Sequence, residues 1–563
     1  MSTDPTAWWR TAVVYQLYVR SFADSNGDGI GDLGGIVAHL DDLVELGIDA
    51  LWLNPCYPSP QLDHGYDIAD YFSIEPDYGT LEDFDRLVAG ARSRGIRIMM
   101  DVVPNHCSWD HPWFRAAVAA GRGSPERERF YFRDGRGPDG SEPPNDWIAV
   151  FKGSAWTRVA EPDGSPGQWY LHVFSPPQPD WNWNHPDVAE HFDRMLTFWF
   201  DRGVEGFRAD AVPVLGKTDG LPDVAGATLR LGVYDLNPHF HFVAHGHEAW
   251  RRWRRLVDAY ERSHPGRELV TVAEAHTPGR PDLLRQYVND LEFHQSFAFD
   301  LLLSTWNASA LRDGISWNID ALADDGLLPA WTMNNHDVQR VVTRYGRADA
   351  TLLEHATGLP TSSAPVDLEL GLRRARAAVL LQLGLPGCIY LYAGEELGLP
   401  EVLDLPVAAR QDPLFIRTEG AELGRDGCRV PLPWTTDPQT SFGFSPGPDP
   451  APPWMPQPDT WGRWAADLQA ADPTSMLALV RSATHLRRRL DDLLRAPLEW
   501  IEFGVTEVLA YRRGEMVVVV NTGPTPVDLP DHLTDGRRVA LSSVPGHTTV
   551  EVVPPDAAVW LAP

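Results

Sequence analysis

The chain is poor in cysteine and carries far fewer basic than acidic residues. Only four of its 563 residues are cysteines, and no two of them form the C-x-x-C pattern of a zinc site. A disulfide framework is therefore excluded as the basis of the fold. Lys and Arg number 48 against 78 Asp and Glu, which leaves a formal net charge of −30. Such a chain repels nucleic-acid phosphates and anionic lipids, so we expect no nucleic-acid partner.

Long apolar runs are also scarce. One uncharged stretch, 377–394, reaches membrane-spanning length, but Gln382, Gly384 and Pro386-Gly387 interrupt it. This pattern predicts a helix, a turn and a buried strand rather than a membrane span. The N-terminus lacks a basic segment followed by an apolar one, so no signal peptide is expected. We therefore expect a cytoplasmic protein with no membrane partner.

What the chain does contain is a repeating unit of an amphipathic helix, a glycine stop and a short apolar strand that ends in polar residues. At 563 residues, 43% of them apolar, the chain is large enough for more than one structural unit. Seven segments are predicted as strands: 13–19, 49–53, 96–103, 204–209, 269–273, 330–333 and 388–392. Helix–strand alternation of this kind predicts parallel strands joined by crossovers.

Two architectures satisfy this alternation: an open doubly wound sheet and a closed eight-stranded barrel. Acids and histidines follow at least four of the strands, and these strands are spread over more than half of the chain. Only a closed barrel brings so many strand ends to one rim. We therefore predict an α/β fold, a (β/α)8 TIM barrel.

Three segments depart from the alternation and define the predicted domains. A long stretch, 108–183, is rich in Gly, Pro and aromatic residues, and a second, 398–461, is rich in Pro. From about residue 497 short strands follow one another closely. The predicted division is a first part of the barrel at 1–104, an inserted domain after strand three at 105–174, a second part of the barrel at 175–480 and a C-terminal β-sandwich at 481–563.

A glycine-rich segment near the N-terminus has two interpretations. Gly29-x-Gly31-x-x-Gly34 has the spacing of a dinucleotide fingerprint, but the three aspartates around it would repel a pyrophosphate. The same segment matches the oxygen-ligand spacing of a calcium loop, although Gly35 stands where the bidentate Glu belongs. We predict a structural Ca²⁺ (or Mg²⁺) and no organic cofactor, with a solvated acidic turn as the alternative. The predicted metal ligands are Asp24, Asn26, Asp28, Ile30 and Asp32.

Three acids stand at strand ends: Asp210, Glu274 and Asp337. A single acid at such a place is usually a helix cap. Three on one barrel rim, each near an Arg or a His, suit glycosidic bond cleavage, which needs one ionised and one protonated carboxyl group. Arg208 lies two residues before Asp210 and so points to the same side, where it would keep Asp210 ionised. Apolar neighbours would raise the pKa of Glu274, as a general acid requires.

These residues and their neighbours resemble glycoside hydrolase family thirteen, the α-amylase superfamily, in its α-glucosidase and oligo-1,6-glucosidase branch. The similarity runs from about Trp8 into the C-terminal sheet, and its motifs follow the order of the family. The motifs are GYDIADY at 65–71, DVVPNH at 101–106, QPDWNW at 178–183, GFRAD at 206–210, VAE at 272–274 and NHD at 335–337.

The resemblance implies a role for each matching residue. Asp210 would be the nucleophile, Glu274 the general acid and base, and Asp337 the group that binds sugar hydroxyls and stabilises the transition state. Arg429, in RVPLPW, resembles a sugar-binding segment of the branch. Phe174 is a pocket-wall candidate, and a simple core position is equally compatible with it. The remaining residues implied to hold the terminal glucose are Asp67, His106, Arg208 and His336.

The resemblance implies a retaining, exo-acting α-glucosidase whose partner is a small oligosaccharide or glucoside. In this family a small residue after the nucleophile, here Ala211, accompanies α-1,4 preference, whereas the segment 213–217 departs from the oligo-1,6-glucosidase pattern. A transglucosylase or disaccharide isomerase would use the same covalent intermediate. A non-catalytic partner of a membrane transporter is disfavoured, since such proteins lose the acids and carry a membrane helix. No feature of the sequence predicts an oligomeric state.

Overall fold

Eight short parallel strands form the central ring of the protein. The computed structural model describes residues 6–226, 229–231, 234–277, 279–347, 365–447 and 450–563. The ring strands are β1 (Val13–Leu17), β2 (Ala50–Leu53), β3 (Arg97–Val102), β4 (Gly206–Ala209), β5 (Val270–Ala273), β6 (Gln295–Ser296), β7 (Ala330–Thr332) and β8 (Cys388–Tyr392).

The strand order makes the sheet a barrel. Neighbouring strands follow the order β6-β5-β4-β3-β2-β1-β8-β7, and each of these pairs is parallel. A further parallel bridge between Phe297 and Ala330 joins the two ends of the sheet. The predicted TIM barrel is therefore confirmed. β6, which the sequence analysis missed, has only two residues, too few to show a periodic pattern.

Helices cover the outside of the ring, and local sequence explains where they begin. The helix Leu81–Ser93, for example, starts at a capping box between Thr80 and Asp83 and buries Phe84 and Leu87. The α-helices are Val19–Phe22, Leu33–Ala38, Leu40–Leu46, Leu81–Ser93, Pro112–Ala120, Pro186–Asp201, His247–Ser263, Pro281–Tyr287, Phe299–Leu302, Ala308–Ala323, Val341–Tyr345, Leu368–Gly384, Pro413–Arg417, Ala466–Ala470, Met476–Arg489, Asp491–Arg495 and Asp531–Thr534. Short 3-10 helices span Trp8–Arg10, Pro125–Arg129, Val212–Val214, Ala244–Gly246, Val407–Ala409, Asp426–Cys428, Pro438–Thr440 and Trp461–Trp464.

The long segment after β3 forms a small unit of its own. Its three antiparallel strands are Phe132–Arg133, Trp156–Ala160 and Pro166–Leu171, with the last in the centre. Trp147 and Trp156 share a hydrophobic cluster with Val214 and Phe240, which follow β4. This unit is therefore fixed over the loop after β4, beside the carboxyl ends of the barrel strands.

The C-terminal residues form an antiparallel β-unit, as predicted. Five strands lie in the order Glu499–Ile501, Val508–Arg513, Met516–Asn521, Ala557–Ala562, Arg538–Ser542, and Val527–Asp528 pairs with Val552–Val553. Tyr511 and Trp560 on one face donate hydrogen bonds to backbone carbonyls of the helix Leu368–Gly384. The β-unit therefore packs directly on the barrel. The exact domain boundaries stay predictions.

The sequence argued against a membrane span and against a disulfide framework, and the structure bears on both. Among the described residues no helix is long and apolar enough to cross a bilayer. The apolar stretch 377–394 is the end of the helix Leu368–Gly384, a turn and β8, as predicted. All four cysteines are buried free thiols, so no disulfide supports the fold.

Candidate active site

A cavity of about 630 Å³ opens at the carboxyl ends of the barrel strands. All three predicted catalytic acids line it, although β4, β5 and β7 supply them from distant parts of the chain. His106, after β3, and Phe174, from the inserted segment, also line it. The ring geometry therefore brings the predicted acids together in one cavity of a size that is typical of small-molecule sites.

Arg208 organises two of the acids. As the third residue of β4 it points to the same side as Asp210, and it is almost completely buried. Its Nη1 lies 2.8 Å from Asp210 Oδ1 and 2.8 Å from Asp101 Oδ1, while its Nη2 lies 2.7 Å from Glu274 Oε1. One guanidinium therefore fixes the positions of Asp210 and Glu274 relative to each other.

The residue after Asp210 adopts an uncommon backbone conformation. Ala211 has φ +47° and ψ +41°, in the left-handed region that non-glycine residues rarely occupy. Its backbone N–H donates a hydrogen bond of 2.8 Å to Glu274 Oε2. Glu274 is thereby held at both oxygens, by Arg208 on one side and by this amide on the other.

Asp210 and Glu274 share one guanidinium, that of Arg208. Its single positive charge balances only part of the negative charge of the two carboxyl groups. Burial raises the pKa of Asp210, and the nearby carboxylates of Glu274 and Asp101 raise it further, while Arg208 alone opposes them. Burial likewise raises the pKa of Glu274, and its carboxyl group is close enough to Asp210 to hydrogen-bond with it. The two carboxyl groups are therefore coupled, and both pKa values lie above their ordinary values. One ionised and one protonated carboxyl group is the state that a retaining glycosidase uses.

Asp337 has the opposite electrostatic environment. Burial raises the pKa of its carboxyl group, but the positive charges of Arg425 and Arg429 outweigh this effect and lower the pKa below its ordinary value. Asp337 Oδ1 lies 3.0 Å from Arg425 Nη1 and 2.9 Å from Arg429 Nη2. Asp337 is therefore a permanent anion in the cavity wall.

Asp63, rather than Asp67, is the carboxylate that this acidic segment presents to the cavity. Asp63 lines the cavity, and its Oδ1 lies 2.9 Å from Arg425 Nη2. Asp67 is fully buried behind the wall, where its carboxyl oxygens accept hydrogen bonds from Ser59 and from the backbone N–H groups of Leu62 and Asp63. The structure therefore corrects the prediction for Asp67, whose contacts hold the loop that presents Asp63.

The other predicted sugar-binding residues fall into two groups. His106 and Phe174 line the cavity and pack against each other with ring centroids 4.9 Å apart. Arg208, His336 and Arg429 lie one layer behind, where they contact the acids that line it. Burial lowers the pKa of His106 to about 3 and the pKa of His336 well below its ordinary range, so both imidazoles are neutral at pH 7.

A buried lysine supports the wall near His106. Lys217 Nζ lies 2.9 Å from Asp180 Oδ2 and 2.9 Å from Asn105 Oδ1, and it donates a further hydrogen bond to the carbonyl of Val214. Asn105 precedes His106 in the loop after β3, and Asp180 lies near the end of the long stretch 108–183 that follows it. The Lys217 ammonium therefore connects the loop after β4 with both ends of the long segment that follows β3.

Sequence reasoning missed Asp63, Tyr66 and Arg425, all of which line the cavity. Tyr66 belongs to the GYDIADY motif at 65–71, and Asp63 stands three residues before it. Arg425 lies four residues before the predicted Arg429, and both arginines contact Asp337. Two arginines four residues apart lie on the same side of a helical turn. This spacing from Arg429 is the feature of the sequence that could have indicated Arg425.

The predicted metal loop is held by its own hydrogen bonds. Asp24 accepts them from the backbone N–H groups of Asn26, Gly27 and Gly29, and Asp28 accepts one from Ile30. Asp32 caps the helix Leu33–Ala38. Across the described part of the chain, no three His, Cys, Asp or Glu side chains are grouped so that they could hold a metal ion. A metal ion at this loop stays a prediction.

The barrel and this cavity define the class of the protein. Residues 16–496 match the family model of the alpha amylase catalytic domain, so the chain belongs to the α-amylase family, glycoside hydrolase family thirteen. It is a glycoside hydrolase, as the sequence predicted.

Named relatives show which activities occur among proteins similar to this chain. The chain is 33% identical to the trehalose-6-phosphate hydrolase of Bacillus subtilis (strain 168), over 92% of this chain and 90% of that protein. It is 35% identical to an alpha-glucosidase of Pediococcus pentosaceus, over 86% and 85% of the two chains. Among solved structures, that of an alpha-glucosyl transfer enzyme, XgtA, covers 99% of both chains with a TM-score of 0.81 and 34% identity. The relatives therefore include hydrolases and a glucosyl-transfer enzyme.

Proposed function

We propose that this protein is a retaining, exo-acting α-glucosidase that releases glucose from the non-reducing ends of short α-glucosides. The observation that carries the proposal is the attachment of Asp210 and Glu274 to one guanidinium within a single cavity. Carboxyl groups this close to each other favour the retaining reaction, because the inverting reaction needs a wider gap for a water molecule.

The proposed reaction has two displacements. Asp210 attacks the anomeric carbon while the Glu274 proton passes to the glycosidic oxygen, so the bond to the leaving group breaks as an ester to Asp210 forms. Glu274, now ionised, then takes a proton from water, whose oxygen attacks the anomeric carbon and releases Asp210. The permanent anion Asp337 would stabilise the positive charge that develops on the sugar ring.

The terminal glucose would be held by the polar wall of the cavity. Asp63 and Asp337 both contact Arg425, so the three side chains form one connected surface of charged hydrogen-bonding groups. Such a surface recognises the hydroxyl groups of a sugar and fixes its orientation. We propose a preference for α-1,4-linked, maltose-like substrates, supported by the small Ala211 in the cavity wall.

A second candidate is a transglucosylase or disaccharide isomerase. The similarity to a glucosyl-transfer enzyme supports it. The covalent intermediate would be the same, and only the attacking hydroxyl group would differ. Product analysis with maltose, isomaltose, sucrose, trehalose and maltotriose separates the candidates. Free glucose alone supports hydrolysis, new disaccharides support transfer, and no turnover of any of the five overturns both.

Exchanging Asp63 and Asp67 separately for asparagine tests their corrected roles. Asp63→Asn is expected to lower kcat/KM for maltose by about 100-fold with little change in the melting temperature, because Arg425 and a sugar hydroxyl lose a charged partner. Asp67→Asn is expected to cost about 1–3 kcal/mol of unfolding free energy, because the buried carboxyl group of Asp67 accepts three hydrogen bonds. If instead Asp67→Asn lowers kcat/KM and Asp63→Asn lowers the stability, Asp67 is the sugar-binding residue.

We also propose, on the ligand spacing alone, that the loop 24–32 binds a structural Ca²⁺ or Mg²⁺. Added Ca²⁺ is expected to raise the melting temperature and a chelator to lower it, and Asp28→Asn should remove most of this difference. An unfolding curve that neither addition shifts would identify the loop as a self-capped acidic turn. The cytoplasmic location predicted from the sequence likewise stays a prediction.

A further inference from the structure

The inserted segment reaches the cavity as the tip of a small hairpin. An antiparallel bridge pairs Ile148 with Ser154, and next to it the backbone N–H of Ala149 donates a hydrogen bond of 2.9 Å to the carbonyl of Gly153. The three residues between, 150–152, all line the cavity. This hairpin tip, residues 149–153, is therefore part of the cavity wall.

Arg417 binds the backbone of the hairpin tip. It is the last residue of the helix Pro413–Arg417, in the Pro-rich stretch that follows β8. Its Nε lies 2.9 Å from the carbonyl oxygen of Phe151 and 3.0 Å from that of Lys152, and its Nη2 donates a further hydrogen bond to the Lys152 carbonyl. The approach is close, because a Cβ atom on Gly153 would lie 2.6 Å from Nη2. Arg417 therefore joins two segments of the cavity wall that are 266 residues apart in sequence.

The other end of the same helix is attached to the proposed sugar-binding groups. Asp412 caps the helix by accepting a hydrogen bond of 2.8 Å from the backbone N–H of Leu414, and its side chain is completely buried. Its Oδ2 also lies 2.6 Å from Arg425 Nε and 2.8 Å from the Arg425 backbone nitrogen. Arg425 in turn contacts Asp63 and Asp337. One short helix therefore connects the groups proposed to hold the terminal glucose with the hairpin tip.

The ring of Phe151 is the part of the hairpin tip that contacts these groups. Arg425 Cζ lies 5.0 Å from the centre of the ring, which is within the range of a cation–π interaction. The ring centroid of Phe174 is 5.8 Å from that of Phe151, and Phe174 packs against His106. All four side chains line the cavity. The placement of the Phe151 ring therefore affects the shape of the cavity where the terminal glucose would bind.

We infer that Arg417 is a positioning residue for the binding of the terminal glucose. It fixes the backbone of the hairpin tip and thereby places the Phe151 ring against Arg425. Arg417 is not among the described residues that line the cavity, so it acts on the substrate through Phe151 and not by contact. The inference rests on the proposed function and adds a residue to the same site. Because the ring is in place before and during the reaction, loss of Arg417 should weaken binding more than turnover.

Replacing Arg417 with glutamine in the full chain tests the inference. We expect KM to rise about tenfold, while kcat changes by less than about threefold, because the ring is no longer held against Arg425. The fall in kcat/KM should be the same for maltose and for p-nitrophenyl α-glucoside, since these substrates share the glucosyl group and differ in the leaving group. Arg417→Lys, which can still donate to a carbonyl, is expected to recover part of the lost affinity.

Two results of this experiment would overturn the inference. An unchanged KM in Arg417→Gln would show that the ring needs no support from the guanidinium. A loss confined to one of the two substrates would place the effect on the leaving-group side of the cavity. Both results leave the α-glucosidase proposal intact. No turnover of either substrate by the unaltered chain would instead overturn the proposed function and the inference with it.

Two further variants separate positioning from a general loosening of the Pro-rich stretch. Arg410 donates hydrogen bonds to the carbonyls of Leu403 and Leu423 within that stretch, so Arg410→Gln should lower the melting temperature and leave KM unchanged. Phe151→Leu removes the ring but keeps an apolar side chain, and in this background Arg417→Gln should raise KM no further. Additive effects of the two substitutions, or an equal rise of KM in Arg410→Gln, would contradict the inference.

Discussion

Replacing Asp210 with asparagine is expected to lower kcat/KM for p-nitrophenyl α-glucoside by about 10⁴-fold or more, with the fold intact. An amide oxygen is a poor nucleophile, so the first displacement would lose the group that forms the covalent ester. The melting temperature should fall little, because the exchange removes negative charge from a site where three carboxylates share Arg208.

Chemical rescue by azide distinguishes the loss of a nucleophile from other causes of inactivity. In an Asp210→Ala variant, added azide can enter the vacated space and attack the anomeric carbon directly. We expect azide to restore turnover of an activated glucoside and to yield β-glucosyl azide, the product of a single inverting step. A variant that retains activity without azide would place the nucleophile elsewhere. Asp70→Asn, a change outside the cavity lining, serves as the control.

Replacing Glu274 with glutamine should affect substrates according to their leaving groups. For maltose, whose leaving sugar needs a proton, kcat/KM is expected to fall by about 10²–10⁴-fold. For α-glucosyl fluoride, which needs no proton on the leaving atom, glucosylation should fall by less than about tenfold. Steady-state kinetics on the two substrates with the same enzyme preparation provide the comparison. Equal losses on both would contradict the acid role of Glu274.

The pH dependence of the activity provides a second test of Glu274 as the general acid. Burial raises the pKa of Glu274, and the acid acts only while it is protonated. Activity of the unaltered enzyme is therefore expected to fall as pH rises through that raised pKa. In Glu274→Gln the residue no longer titrates, so this basic limb should disappear from the pH profile of the residual maltose hydrolysis. A basic limb that persists would show that another group is the titrating acid.

Asp67 and Asp63 show where residue-by-residue reasoning fails. Both are acids of one short loop, and nothing in their order along the chain separates a side chain that faces a cavity from one that faces inward. The hydrogen bonds of Asp67 to Ser59, Leu62 and Asp63 decide the matter, since they turn its carboxylate into the loop. Arg425 was missed for a related reason, because its partners Asp63 and Asp337 are 362 and 88 residues away in sequence.

The sequence by itself determined the barrel, the order of its motifs and the three acids, because strand and helix periodicity and the polar residues at strand ends are local properties of the chain. The closed ring was needed to show that β6 completes the barrel, that Arg208 holds Asp210 and Glu274 together, and that Asp63 and Arg425 reach the same cavity. The physical reason is that these features arise from side chains far apart in sequence. Their hydrogen bonds, burial and shared charges exist only after the ring has closed.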